Sequence, residues 1–229
     1  FIVIIILLAV PLSFPPSGWK PASWTPPPPL PGTVTFECHR AEMIRTSTFY
    51  GLWFCYFIGC LAGLMAISIA KPVGTEAVAI ESGLATLLVG FFAIFNGGGR
   101  PFFGSLTDRL NPRRTAMLSF LFIGGASLAL WQIPSVPVYI VGFAILWGCL
   151  GGWLAIAPTS TATFFGTCDY PRCYGVIFLA YGAGAIAGPM LAGSIRASTG
   201  TYLGVFPYVA ALALSGFVVA HFFLRPATR

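Results

Sequence analysis

The sequence predicts an all-α integral membrane protein, a six-helix bundle preceded by the end of another helix. Three observations predict it. Of 229 residues, 57% are hydrophobic and only 8% charged, against roughly a quarter charged in soluble domains. Mean hydropathy is +0.86, so a soluble chain of this length would lack polar side chains to cover its surface. The apolar residues also fall into separate runs of about 17–25 residues, the length that crosses about 30 Å of hydrocarbon.

The chain opens FIVIIILLAVPLSF (residues 1–14), without Met or a basic leader. Pro11 and PPSGWKP do not make a small-residue cleavage site. This segment reads as a truncated transmembrane helix, and the chain as a fragment. Residues 15–48 contain PPSGWKPASWTPPPPLPG, where proline density prevents helix and favours extended polyproline II. That predicts an inter-bundle linker; the alternative is a ligand for an SH3-type domain. Mixed charge without proline from Glu37 to Arg45 predicts a short surface helix. Six complete spans follow, at about 49–70, 81–103, 115–132, 137–157, 174–194 and 203–224, giving a bundle over 49–224 and a tail at 225–229.

Basic residues set the expected orientation. Lys20, Arg40, Arg45, Arg109, Arg113, Arg114, Arg172, Arg225 and Arg229 lie on one face, and only Lys71 and Arg196 on the other. The positive-inside rule makes the first face cytoplasmic, with the linker and C-terminus, in a plasma or inner membrane. The net charge of +6 is then accounted for by topology, and no nucleic acid is called for.

Cys55, Cys60 and Cys149 sit in apolar spans, where cysteine acts as a small hydrophobe. Cys38, Cys168 and Cys173 belong to expected cytoplasmic loops and should be reduced. Cys38-His39 offers two adjacent ligands with no second pair, which does not build a metal site. In YGVIFLAYGAGAIAGPMLAG, Gly184 and Gly188, like Ala183 and Ala187, are four apart and share a helical face suited to close packing. Pro189 predicts a kink near 185–189, and GCLGGW a similarly pliable stretch. Glu81 reads as an interfacial acid or a proton site. Trp147 and Trp153 line a cavity or, for Trp153, join an interfacial belt. Thr159, Ser160, Thr161 and Thr163 cap and shape a loop, and His221 is structural. No nucleophile–base pair, metal cluster or phosphate loop is visible, so neither enzyme nor cofactor is expected.

The stretch FNGGGRPFFGSLTDRLNPRR (95–114) concentrates charge. One reading is a positive-inside loop in which Asp108 precedes the next helix and complements its dipole. That leaves the Gly-x-x-x-Asp-Arg spacing unexplained. The spacing resembles the loop signature of the major facilitator superfamily, Gly-x-x-x-Asp-Arg-x-Gly-Arg-Arg. Gly104, Asp108, Arg109 and Arg113 match, while Asn111 replaces a Gly and Pro112 an Arg; Asn still suits a left-handed turn. GLWFCYFIGCLAGLMAI (51–67), FNGGGRPFFGSLTDR (95–109), GGWLAIAPTSTATFFG (151–166), YGVIFLAYGAGAIAGP (174–189) and LSFPPSGWKP (12–21) resemble, in order, the second half of the oxalate/formate antiporter family.

That resemblance implies a six-helix C-terminal bundle of a twelve-helix fold, whose partner is an N-terminal six-helix bundle absent from this chain. It also implies alternating-access transport of a small organic anion across the lipid bilayer. In the family's oxalate carriers an arginine of the eighth helix meets a substrate carboxylate, and Arg100 stands at that place. Guanidinium binds carboxylate bidentately and stays charged when partly buried. The alternative is an arginine snorkelling to the interface from a turn or two inside the helix. The same carriers place a lysine in the eleventh helix where this chain has Tyr181, which implies one carboxylate rather than two: formate, pyruvate or lactate before oxalate. Asn96 and Trp147 complete the candidate substrate site, with Gly104, Asp108, Arg109 and Arg113 as candidate gate residues. The competing class is a non-transporting receptor-like or scaffold protein on the same fold.

Overall fold

The computed structural model describes residues 2–11, 13, 19 and 38–225. The proline-rich stretch, with Lys20 and its SH3-ligand reading, lies outside them, as do Glu37 and Arg229. The chain divides into two units, Phe1–Pro31 and Gly32–Arg229. In the first, the described helix is α1 (Ile2–Ala9).

The second unit begins with α2 (Arg40–Met43), the short surface helix expected there. The His39 N–H donates to the Glu42 side chain at 3.4 Å, and the Glu42 N–H donates back to the His39 carbonyl at 2.9 Å. Six helices long and apolar enough to cross a membrane follow: α3 (Ser47–Pro72), α4 (Ser82–Leu110), α5 (Pro112–Gln132), α6 (Val136–Phe165), α7 (Tyr170–Thr199) and α8 (Val205–Phe223). A π-helical turn, Val73–Ala77, extends α3 past Pro72.

The bundle has two layers. In the front row the order is α4, α6, α3, α7, and α5 and α8 pack together behind α6 and α3. The middle helices α3 and α6 bury most of their surface, whereas α4 and α7 at the row's ends bury the least. Small residues set this order. A Cβ on Gly99 of α4 would lie 2.1 Å from the carbonyl oxygen of Gly148 on α6, and one on Gly151 would lie 1.9 Å from that of Asn96. Backbones in contact leave no room for side chains, which is why membrane crossings recruit glycine. Gly184 and Gly188 do the same for α7, their added Cβ atoms falling 2.9 and 2.7 Å from Leu61 backbone atoms. Between α3 and α6 the joint is made by side chains: Trp153 covers Gly59 and Leu150 covers Gly63.

One end of the bundle is tied by the Cys38 N–H to the Phe165 carbonyl (3.0 Å) and the Thr48 hydroxyl to the Arg225 carbonyl (2.9 Å). Arg113 meets Nδ1 of His221 at 3.1 Å at the same end. At the other end Arg196 pairs with Glu76 and lies over the Tyr202 ring, 5.0 Å from its centre.

Three expectations need correction. The turn at 104–114 is a single residue: α4 runs to Leu110 and α5 starts at Pro112. Asp108 therefore lies in the last turn of α4, not ahead of α5. The cap of α5 is Asn111, at φ 75°, whose side chain accepts from the Arg114 N–H at 3.1 Å. Thr159, Ser160, Thr161 and Thr163 shape no loop, because α6 continues to Phe165. Ser160, Thr161 and Thr163 donate to carbonyls four residues back within it. Trp153 belongs to no interfacial belt; it is fully buried beside Phe120 and Tyr56.

Candidate functional site

Arg100 gains depth from the longer α4. Ten residues separate it from Leu110, about 15 Å along the axis, so it lies nearly three turns inside the helix. Among the described residues, every other charged side chain of the spans lies within two turns of a helix end. Arg100 is exposed and makes no ion pair or hydrogen bond among the described residues. Gly99 faces α6, so Arg100, about 100° further round, emerges on the flank of α4 beside that crossing. Pro101 has no N–H, which frees the carbonyl of Gly97 as an acceptor one turn before it.

Asn96 and Trp147 meet at the same crossing. Asn96 donates from Nδ2 to the Trp147 carbonyl at 3.3 Å. The Trp147 ring is buried, 6.0 Å from Phe92 centre to centre, and its N–H has no partner among the described residues. Tyr181 lies elsewhere, on α7 at the far end of the front row, with no hydrogen bond or ring contact to Arg100. The structure thus joins Asn96 to Trp147 at the crossing, leaves Arg100 one turn along α4 from Asn96, and sets Tyr181 on α7 at the other end of the front row. Of the candidate gate residues, Arg113 is engaged with His221, while Asp108 and Arg109 are exposed. A Cβ on Gly104 would meet only Ala155, at 3.9 Å, so no close approach depends on it.

Sequence reasoning missed an aromatic ladder on α7. Tyr170 stacks on Tyr174 (5.7 Å, 6° between planes), and Phe178 on Tyr181 (5.2 Å, 4°), with Phe178 5.7 Å from Tyr174. Their spacing of four, four and three was the available signal, since it puts all of them on one flank. Trp53 and Phe57 of α3 stack at 5.9 Å and are partly open beside it. The front face therefore carries a cation at one side and aromatic rings at the other.

Among the described residues the geometry is therefore a bundle of six helices of membrane-spanning length with one charged side chain, Arg100, deep within a helix. Comparison with known proteins supplies the class. The family model described as Major Facilitator Superfamily matches residues 52–229, and the chain belongs to that superfamily of membrane transporters. It is 29% identical over 169 residues to the oxalate:formate antiporter of Oxalobacter formigenes, covering 72% of this chain and 40% of that protein. It is 26% identical over 157 residues to the MFS-type transporter YhjX of Escherichia coli, covering 68% and 39%. To human monocarboxylate transporter 12 it is 25% identical over 134 residues, 56% of this chain and 26% of that one. The chain thus spans well under half the length of the curated relatives it matches.

Proposed function

We propose that this bundle is the C-terminal half of a secondary active transporter of small organic anions, monocarboxylates in preference to oxalate. Arg100 carries the proposal. A guanidinium nearly three turns inside a span is costly in hydrocarbon, so it faces water or protein and marks a substrate path. Names of relatives support the anion class: one is an oxalate:formate antiporter and another a monocarboxylate transporter. On this reading an N-terminal six-helix bundle closes over the front face, and the two halves rock about the midplane. Arg100 holds the carboxylate, Tyr181 donates one hydrogen bond from the opposite side, and Asp108 latches the halves on the cytoplasmic side. Among the described residues a second carboxylate would find no second cation deep within the spans and would stay uncompensated.

The test is uptake of labelled formate, pyruvate, lactate and oxalate into proteoliposomes by the carrier with both bundles. Arg100→Gln is expected to abolish uptake. Uptake at wild-type affinity would overturn the assignment and return Arg100 to the interface.

A further inference from the structure

On the other flank of α4, away from Arg100, the corner between α4, α5 and α6 holds a groove of about 560 Å³. Phe91, Phe95, Gly98 and Phe102 of α4 line it with Phe122 of α5 and Ile145 of α6. It exists because the glycine crossing draws α4 onto α6 while α4 touches α5 only lightly. Gly98 deepens it: nothing lies within 4 Å of where its Cβ would be.

Two features identify what would fill it. From Phe91 to Phe102 is eleven residues, about 16 Å along the helix. That is close to half the thickness of a bilayer's hydrocarbon, about 15 Å, the depth of one leaflet. The polarity of the flank then changes at one end only. Phe91, Phe95, Gly98, Phe102, Ser105 and Arg109 are spaced four, three, four, three and four apart, a single stripe of the helix. Ser105 and Arg109 are both exposed, and Arg109 lies about 10 Å beyond Phe102. Arg109 has no ion-pair partner among the described residues. Its neighbour Asp108 points about 100° away on another flank, and Arg114 is exposed across the Asn111 turn.

We propose that this groove holds an acyl chain of one anionic phospholipid from the leaflet around the α4–α5 turn, with its phosphate at Arg109. An apolar slot one leaflet deep takes a hydrocarbon chain, and a guanidinium with no ion-pair partner among the described residues, at the headgroup end of the same stripe, takes a phosphate. The site is separate from the front face, so the lipid does not compete with an anion at Arg100.

Native mass spectrometry of the full chain with added phosphatidylglycerol or phosphatidylcholine tests this. Phosphatidylglycerol should be retained about fivefold better than phosphatidylcholine, the effect of one basic residue near an anionic headgroup. Arg109→Gln, a surface change that leaves packing intact, should erase that preference and keep the weaker phosphatidylcholine binding. Gly98→Leu should lower retention of both lipids by filling the slot. Gly193→Leu on α7, where a Cβ also meets nothing within 4 Å, should leave retention unchanged. Equal retention of the two lipids by the wild type, a preference that survives Arg109→Gln, or wild-type retention by Gly98→Leu would each overturn the proposal.

Discussion

Gly98 and Gly99 are neighbours on α4, yet adding one methyl group to each should have opposite effects. Both changes gain the same helix propensity, about 0.5–1 kcal/mol for alanine over glycine in a helix interior. The surroundings differ. At Gly98 the methyl group enters open space; at Gly99 it would sit 2.1 Å from the Gly148 carbonyl oxygen. Even the close Cα–H···O contacts of packed helices keep carbon and oxygen about 3.3 Å apart, so α4 must retreat from α6 by more than an ångström. That overpacking costs about 1–3 kcal/mol. The retreat also breaks the Asn96–Trp147 hydrogen bond, already 3.3 Å long, for about 1 kcal/mol more. Propensity cancels in the comparison, which leaves Gly99→Ala about 2–4 kcal/mol less stable than Gly98→Ala. Thermal unfolding of both variants of the full chain in detergent, followed by tryptophan fluorescence, measures the difference. At roughly 2–4 °C per kcal/mol for a chain of this size, the midpoints should differ by about 4 °C or more. Coincident midpoints would mean that the backbones do not touch at Gly99, and the account of the α4–α6 seam would fail.

Asn111 serves as both the positive-φ link and the cap of α5. Asn111→Ala should therefore cost about 2–3 kcal/mol, from the left-handed backbone and the lost cap together, and Asn111→Gly under about 1 kcal/mol, both read from the same unfolding midpoints. Burial, with the Glu42 carboxylate second, raises the Cys38 thiol above its usual value, and Cys168 is exposed. Iodoacetamide at neutral pH should mark Cys168 first, with Cys38 labelling rising only as pH climbs past the ordinary thiol range of about 8.5; peptide mapping of the labelled chain checks the order. Tyr181→Lys would add the second cation, and in the uptake assay it should shift preference toward oxalate; an unchanged ratio of oxalate to formate uptake would separate Tyr181 from the substrate.

The six spans were legible because a bilayer demands an apolar run from any helix that crosses it. Their ends were not. Hydropathy fades where polar residues begin, near Phe103 and Ala157, but helical hydrogen bonding does not depend on hydropathy. Thr107, Ser160 and Thr161 satisfy their hydroxyls on carbonyls four residues back, so polar side chains pass through the last turns without ending the helix. What ends it is backbone chemistry: Asn111 at φ 75° after α4 and Gly166 at φ 80° after α6. The misplacement of Asp108 follows from that one error, since an acid read as preceding a helix in fact closes the helix before it.

The same helix end changes where Arg100 lies along α4. With the span ending at 103 it would be in the last turn; with α4 continuing to Leu110 it is about 15 Å from the helix end. Rarity made Arg100 visible in the sequence, and the helix end set its position within α4. The pairing around it was hidden for a different reason. Asn96–Trp147 and Gly99–Gly148 join residues about fifty positions apart, and no periodicity within one helix predicts which flank of another it meets. Glycine spacing shows that a close approach exists, while the backbone it approaches is settled only by packing. Tyr181 illustrates the limit: its identity could be weighed against a lysine from sequence, but its place across the front face, stacked on Phe178, came from the fold. On the proposed function, one cation on one side and a phenol on the other would form an asymmetric pair, which would suit an anion with a single charged end.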